Sequence, residues 1–286
     1  VQGVVDRELQ PQLLVVVVFF FWPAFDSLRL SFFKVTPFGD REIFVGLDNF
    51  IELLTAPEYG RSVLNSFIFS LGVTTLGLVA ALFLAGLANQ KIRGLPFYRT
   101  AILWTYGIAP PVSGIIWLFI FHPSYGMLPY LLSMVTTYEF NWLLKGWIAM
   151  LLVIFAAAWA HLGYNIAFFL AGLQTIPRSV MDAAQVDGAS GFSLFRRITF
   201  PLLSPVTFFL FIMNMVFSFF ETFGIIHAVT QGGPGDTTTI MVYKAYQDGF
   251  VNLRMGYSAA QSVILMVLVI ALTVLQFRYT ERKVYY

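Results

Sequence analysis

The chain has 286 residues, of which 58% are hydrophobic and only 11% are charged. Soluble domains carry roughly 25% charged residues, so this composition excludes a water-soluble domain and predicts an integral membrane protein. The formal net charge of +2 excludes the field of a nucleic-acid-binding protein, and the absence of cysteine excludes disulfides, thiolate ligands and a catalytic thiol.

Six apolar segments are each long enough to cross a bilayer, which takes about 20 mostly apolar helical residues. In chain order they are residues 13–33, 63–87, 100–121, 146–173, 206–223 and 258–277. The first is the least regular, because Pro23, Asp26 and Arg29 interrupt it. Asp26 and Arg29 are spaced i,i+3 and are expected to pair on one helical face. The predicted fold is an all-α, polytopic membrane protein with six transmembrane helices and a single transmembrane domain over residues 1–286.

The first segment is expected to be a retained helix. A secretory signal peptide has a positively charged start and a small-x-small cleavage site, and neither pattern is present here. With the N-terminus inside, the shorter cytoplasmic pieces hold ten of the seventeen basic residues. This bias places both termini in the cytoplasm.

Three longer external loops follow from this orientation: residues 34–61, 122–145 and 224–257. The first is expected to form turns with one short helix near residues 48–54. The third contains a cluster of glycine and proline at residues 231–236, which predicts an irregular connection.

A polar loop at residues 177–205 separates the fourth and fifth segments. Pro177 suits the first turn of a helix, and Gly188 can take the positive φ that ends one. Phenylalanines near helical spacing predict a second short helix over residues 191–200. We therefore expect a helix–turn–helix at the cytoplasmic surface, with an exposed Asp182. Asp187, beside the turn, is expected to satisfy local backbone donors.

Taken from physical chemistry alone, this loop is equally well explained as an amphipathic linker on lipid headgroups or as a docking surface for another protein. Its residues resemble the "EAA" loop of ABC-importer permeases, whose pattern is E-A-A-x-x-D-G-A followed by F, I, P and P at set offsets. The matching residues are Asp182 in the place of Glu, then Ala183, Ala184, Asp187, Gly188, Ala189, Phe195, Ile198, Pro201 and Pro205. The resemblance favours the docking surface.

Other stretches extend the resemblance over essentially the whole chain. Residues 21–24, 44–50 and 232–234 are typical of the sugar-type branch of these permeases. Residues 36–39, 258–263 and 273–283 resemble more closely the permeases that import sn-glycerol-3-phosphate. The resemblance implies a type I ABC importer permease that forms the translocation path for sn-glycerol-3-phosphate or related glycerophosphodiesters, such as glycerophosphocholine. A sugar or oligosaccharide importer is the alternative, because these permeases share most of the scaffold.

The resemblance also implies the partners and the location. A second, homologous permease completes a heterodimer, two copies of a cytoplasmic ABC ATPase dock on the coupling loops, and an extracytoplasmic binding protein delivers the cargo. The location implied is the bacterial cytoplasmic membrane. The sequence has no G-x-x-x-x-G-K-[ST] phosphate loop. We therefore expect a non-catalytic chain without a cofactor of its own, with ATP and magnesium acting at the ATPase.

Polar residues within the spans are candidates for the translocation path, because polar groups at membrane depth face a cavity or another helix. The candidates are His161, Tyr164, Asn165, Asn214, Glu221 and Gln261. Interhelical hydrogen bonding is the alternative for the amides, and it is favoured for Thr74, Thr75 and Ser262. The three histidines show no metal-ligand spacing.

Two other classes of function compete with the importer. A channel that works without ATP would explain the spans and their polar residues, but it would not explain the loop at 177–205. An intramembrane enzyme needs an assembled nucleophile or metal set, and the sequence shows no such pattern.

Overall fold

A computed structural model describes residues 14–36, 41–90, 95–136 and 141–280. Some of the sequence-based expectations fall outside these ranges. They are the start of the first predicted span at residue 13, the stretch 37–39, the basic residues Lys91 and Arg93, and the stretch 281–283. Within the described ranges the chain is mainly helical, which confirms the predicted all-α class.

The helices and strands follow one another with short connections. The strands are β1 (Phe33–Val35) and β2 (Glu42–Phe44), and the helices are α1 (Trp22–Leu30), α2 (Asp48–Thr55), α3 (Pro57–Ala88), α4 (Leu95–Leu103), α5 (Pro110–Phe121), α6 (Met127–Ser133), α7 (Gly146–Ala160), α8 (Leu162–Thr175), α9 (Arg178–Val186), α10 (Gly191–Leu194), α11 (Phe200–Leu202), α12 (Ser204–Phe220), α13 (Phe223–Val229), α14 (Met241–Tyr246) and α15 (Met255–Thr280). Single π-helical turns occur at Val17–Phe21, Phe195–Thr199 and Gln247–Val251, and a 3₁₀ turn at Trp104–Gly107.

Among the described residues, two helices are long and apolar enough to cross a membrane, Pro57–Ala88 and Met255–Arg278. Three bent pairs of helices pass the same test when each pair counts as one span, which gives up to five. The segment predicted at 13–33 is not among them, so the count of six is not confirmed.

Two of the three bends have a local cause in the sequence. The pair Arg99–Gly107 and Pro110–Phe121 bends by 109°, where Pro110 and Pro111 open α5. The pair Gly191–Leu202 and Ser204–Phe220 bends by 68°, with Pro205 in the first turn of α12. Proline has no N–H for the preceding turn, so it favours the start of a new helix over continuation. The third bend, of 49°, lies between α7 and α8.

Two compact units divide the chain: Val1–Val63 with Met241–Ile270, and Leu64–Ile240 with Ala271–Tyr286. In the first unit, β1 and β2 form an antiparallel hairpin with Lys34 opposite Ile43. The buried Asn49 amide donates to the carbonyl oxygens of Ser31 (2.9 Å) and Phe33 (3.0 Å), which ties α2 to this hairpin.

The helix α2 and the predicted Asp26–Arg29 pair are confirmed, with Arg29 Nε 3.1 Å from Asp26 Oδ1. Pro23 lies just after the π-helical turn Val17–Phe21, and this widened turn lets the chain stay helical across the proline. The hairpin was not predicted, since its strands have only three residues each.

The second unit is built on close helix packing. Ala81, Ala85 and Ala88 of α3 are buried together with Phe169 and Leu210. Small residues allow helix backbones to approach, and this packing replaces the hydrophobic driving force that lipid does not supply. The predicted irregular loop at 224–257 is wrong in part, because it contains α13 and α14.

Candidate functional site

The polar loop begins with α9, and its first helix ends at a glycine. Pro177 is extended (φ −62°, ψ 135°) at the residue before α9, so it lies just outside the first helical turn in which the sequence placed it. Gly188 has φ +84°, and its N–H donates to the Gln185 carbonyl at 3.0 Å. The Ala189 N–H donates to the Ala184 carbonyl at 2.9 Å. These two bonds form a Schellman motif, which needs a left-handed residue at the position of Gly188. The prediction of a positive φ at Gly188 is confirmed.

A second helix follows the turn. Ser190 is extended before α10, and Gly191 also has a positive φ of +51°. The chain continues through the π-helical turn Phe195–Thr199 into α11. Pro201 lacks the N–H that an α-helix would bond to Arg197, which accounts for a widened turn at this place. The predicted helix–turn–helix is therefore present in the structure.

The loop exposes most of the residues that the pattern singled out. Asp182, Ala183, Asp187, Gly188 and Pro201 are exposed, Ala189 and Phe195 are half-buried, and Ala184 is buried. The two most exposed large apolar side chains of the loop are Val186, at 88%, and Phe192, at 74%. They lie on either side of the Gly188 turn, and the sequence analysis missed them. The sequence feature that could have indicated their exposure is that each is an apolar residue close to the turn in an otherwise polar stretch.

The two acidic side chains of the loop are available to a partner. Neither carboxylate, of Asp182 or of Asp187, hydrogen-bonds to any of the described residues, and both are exposed. The expectation of a local role for the Asp187 side chain is therefore wrong. The contribution of Asp187 to the turn is its backbone N–H, which donates to the Ala183 carbonyl at 3.0 Å. The backbone geometry closes the turn without help from the carboxylate.

Two of the candidate path residues, Asn165 and Asn214, pair with each other in the second unit. Both are completely buried. The Asn165 Nδ2 donates to Asn214 Oδ1 at 3.0 Å, and the Asn214 Nδ2 donates to Asn165 Oδ1 at 2.7 Å. Gly77 of α3 faces this pair, since a Cβ there would lie 3.3 Å from Asn165 Nδ2. This is the interhelical bonding that the sequence left open as an alternative.

His161 and Tyr164 lie at the bend between α7 and α8. The His161 ring stacks on Phe217 at a centroid distance of 4.1 Å and lies 4.7 Å from the Tyr164 ring. The buried Nε2 of His161 has no hydrogen-bond partner in the described part of the chain. The Gly163 N–H donates to Thr105 Oγ1 at 3.0 Å, which anchors the bend. Glu221 ends α12 and is exposed.

Gln261 belongs to the first unit, where it contacts a buried acid that the sequence analysis missed. Its Nε2 donates to Asp248 Oδ2 at 2.7 Å. Asn252 Nδ2 donates to Asp248 Oδ1 at 2.9 Å, and Lys244 Nζ lies 3.4 Å from Oδ2. Asp248 lies in a segment that was predicted as a loop. A loop has no regular hydrophobic periodicity from which the burial of a side chain could be predicted. In the described residues, no group of three or more His, Cys, Asp or Glu could hold a metal ion.

Apolar helices long enough to cross a membrane, with an exposed, glycine-capped loop between two of them, define a polytopic membrane protein. Residues 77–285 match the sequence model of the family described as "Binding-protein-dependent transport system inner membrane component", and the chain belongs to this family.

Curated relatives are similar over almost their entire length. The sn-glycerol-3-phosphate transport system permease protein UgpA of Brucella abortus biovar 1 (strain 9-941) is 50% identical over 278 residues, which are 97% of this chain and 94% of the relative. The protein of the same description from Escherichia coli O157:H7 is 46% identical over 276 residues, 96% of this chain and 93% of the relative.

Solved structures share the fold. A bacterial ABC transporter involved in the import of the acidic polysaccharide alginate matches with a TM-score of 0.84 at 18% identity, covering 99% of this chain and 96% of that chain. The alginate transporter in complex with its alginate pentasaccharide-bound periplasmic protein matches with a TM-score of 0.83 at 18% identity, covering 98% and 94%. The fold is that of ABC importer permeases.

Proposed function

We propose that this chain is a permease subunit of an ATP-driven importer and forms, with a second homologous permease, the translocation path for sn-glycerol-3-phosphate or related glycerophosphodiesters. The observation that carries the proposal is the 46–50% identity to permeases of that description over 96–97% of this chain. An extracytoplasmic binding protein supplies the cargo.

The loop between α9 and α11 is the proposed contact with a cytoplasmic ATPase, of which two copies serve the two permeases. Its support is an exposed turn with a fixed backbone, the strongly exposed side chains of Val186 and Phe192, and two carboxylates that pair with none of the described residues. Exposed apolar patches of this kind mark protein contacts. ATP and magnesium bind to the ATPase, and this chain is not catalytic. The loop and both termini are then cytoplasmic, and closure of the ATPases moves the permease as rigid bodies.

The proposed path uses the polar residues of the spans in two ways. His161 and Tyr164 are only half-buried and carry hydrogen-bonding groups at a helix bend, so they contact the cargo. Asn165, Asn214 and Gln261 are fully buried and shape the path by holding helices in place. Glu221, exposed at the end of α12, serves the outer gate or the binding-protein contact, because a carboxylate is a poor ligand for phosphate.

Transport by the purified complex in liposomes tests the proposal. Labelled sn-glycerol-3-phosphate, glycerophosphocholine and a disaccharide are each presented on the binding protein, with an ATPase variant unable to hydrolyse ATP as the control. We expect ATP-dependent uptake of the phosphorylated cargos and none with the control. Uptake of the disaccharide alone would establish the sugar alternative, and flux without ATP would establish a channel.

A further inference from the structure

A cavity of about 210 Å³ lies in the first unit, beside the start of α15. Its wall comes from β1, from α2 and from the segment that leads into α15. The polar residues that line it are Lys34, Asn49, Asn252, Arg254 and Tyr257. Gly256 makes this arrangement possible, since a Cβ there would overlap the carbonyl oxygen of Phe33. Only glycine allows β1 to lie directly against the first turn of the helix.

Hydrogen bonds and ion pairs fix the wall of this cavity in advance. Asn49 is bonded to the hairpin backbone, and Asn252 is bonded to the buried Asp248. The Arg254 guanidinium lies 4.0 Å from the centre of the Tyr257 ring and is paired with Glu52. A wall held in this way loses little conformational entropy when a ligand binds.

The charge balance of the cavity favours an anion. The charge of Arg254 is compensated by Glu52. Lys34 forms no ion pair with any of the described residues, so among them its positive charge has no acidic partner. A lysine ammonium is a compact point charge and binds phosphate strongly.

The depth of the cavity in the membrane follows from chain continuity. The spanning helix α15 begins at Met255, and its apolar stretch begins near residue 258. Tyr257 therefore lies where tyrosine is enriched, at the boundary between hydrocarbon and headgroups. Exposed apolar side chains border the cavity: Leu253 lines it, Val251 precedes the lining residue Asn252, and Ile43 lies opposite Lys34 across the hairpin. An apolar rim at this depth fits acyl chains, whereas a freely dissolved anion has no apolar part to contact it.

Resting on the proposed orientation with both termini in the cytoplasm, we propose that this cavity binds the headgroup phosphate of an anionic phospholipid in the outer leaflet of the membrane. Lys34 supplies the charge, and the apolar rim contacts the acyl chains. An anionic headgroup is preferred over a zwitterionic one, because a choline cation would meet the same positive charge.

Thermal unfolding of the whole purified transporter, with lipid added as soluble short-chain species, tests the site. Phosphatidylglycerol is compared with phosphatidylcholine of the same chain length. We expect a saturable rise of the unfolding temperature with phosphatidylglycerol, and a half-saturating concentration about tenfold higher for Lys34→Gln, as expected from the loss of one charge-assisted hydrogen bond. Lys34→Arg keeps the charge and is expected to retain the response. Arg61→Gln is the matched control, because Arg61 is exposed in the same unit and does not line the cavity.

Three results would overturn the proposal. The first is an equal response to both lipids, and the second is an equal phosphatidylglycerol response of Lys34→Gln and the wild type. The third is full stabilisation by sn-glycerol-3-phosphate or inorganic phosphate alone, which would assign the cavity to a free phosphoryl anion. If Lys34→Gln instead weakens binding-protein affinity at an unchanged lipid response, the surface is a protein contact. If Lys34→Gln does not assemble into the transporter, the comparison of phosphatidylglycerol with phosphatidylcholine on the wild type tests the proposal by itself.

Discussion

Asn165 and Asn214 exchange two hydrogen bonds, of 3.0 and 2.7 Å, at completely buried positions of the second unit. Asn214 also donates to the Leu210 carbonyl at 2.8 Å. Each amide is thus the main partner of the other, and this mutual satisfaction makes two polar side chains tolerable at membrane depth. The pair joins α8 to α12, on either side of the exposed loop in sequence.

Replacing one member of this pair is predicted to reduce the stability by more than half of the reduction caused by replacing both. Asn165→Leu leaves the buried Asn214 Oδ1 without its donor, while Asn214 Nδ2 keeps only the Leu210 carbonyl, and this loss destabilises by about 1–3 kcal/mol. The double variant Asn165→Leu/Asn214→Leu removes both polar groups and is expected to be more stable than the sum of the two single changes indicates. Thermal unfolding of the purified complex measures all three variants. Additive losses would show that the two amides act independently.

The same variants separate packing from cargo contact. Transport is measured at saturating loaded binding protein, with sn-glycerol-3-phosphate and glycerophosphocholine compared. We expect stability to fall while the ratio of the two rates is unchanged. A changed ratio at unchanged stability would instead place Asn165 or Asn214 in direct contact with cargo.

The loop between α9 and α11 was predictable because its signals are local. A proline before the first helix, a glycine at its end and a proline in the second helix each act within one turn of the chain. Gly188 is the clearest case, because its positive φ follows from residue type and position together. The helix α2 and the Asp26–Arg29 pair are local in the same sense.

The missed features depend on residues far apart in sequence. The hairpin and α2 are fixed together by the Asn49 amide, and Asp248 is buried because Gln261, thirteen positions away, approaches it. The bend at His161 is anchored by Thr105, 58 positions from Gly163. Hydropathy indicates that these segments are apolar. It does not indicate which distant side chain forms a hydrogen bond with a buried polar group.

The hairpin is predicted to loosen in acid. The Arg29 guanidinium donates to both carboxylate oxygens of Glu42 and lowers the pKa of Glu42 below its ordinary value of 4.5. A carboxyl whose folded-state pKa is depressed stabilises the fold above the unfolded pKa, and that contribution is lost as the pH falls through the folded pKa. Faster amide hydrogen exchange at β2, after correction for intrinsic rates, is therefore expected as the pH falls below the ordinary pKa of 4.5 and on through the lowered pKa of Glu42.

Glu42→Gln provides the control for this acid effect. The amide cannot ionise, so exchange at β2 in the variant should be faster at neutral pH and nearly independent of pH. The same acid sensitivity in Glu42→Gln and in the wild type would show that another group is responsible.

Gly188→Val is predicted to lower both substrate-stimulated ATP hydrolysis and transport while leaving membrane insertion intact. The valine opposes the φ of +84°, at a cost of about 1–2 kcal/mol, and the Schellman bonds open. No atom lies within 4 Å of a Cβ at this position, so a loss reflects backbone strain and not a clash inside the chain. Substrate-stimulated ATP hydrolysis and uptake should both fall. Gly188→Asn tolerates the left-handed conformation and should retain more activity. Normal transport by Gly188→Val at equal expression would refute the coupling role.

Val186 and Phe192 are predicted to provide the apolar part of the ATPase contact. Fully burying a side chain of this size stabilises by about 1.5–3 kcal/mol, so Val186→Ser and Phe192→Ser should each weaken co-purification of the ATPase by about tenfold or more. Leu131→Ser in α6 is the control, because Leu131 is also exposed, to 48%, but lies outside the loop. Equal retention of the ATPase by the loop variants and the control would remove these two residues from the interface.

The charge of Asp182 is predicted to act in the same contact through an ion pair with a basic residue of the ATPase. Asp182→Asn removes one attraction, whereas Asp182→Lys adds a repulsion, so the lysine variant should retain less ATPase. Because exposed ion pairs are screened by salt, the difference should shrink between low and high ionic strength. Asp187→Lys tests whether position matters, since its carboxylate is also exposed and unpaired among the described residues. A salt-dependent loss with Asp182→Lys alone would locate the pair at α9. Equal losses at both positions would indicate a general preference for negative charge on this loop, and equal retention by Asp182→Asn and Asp182→Lys would exclude an ion pair.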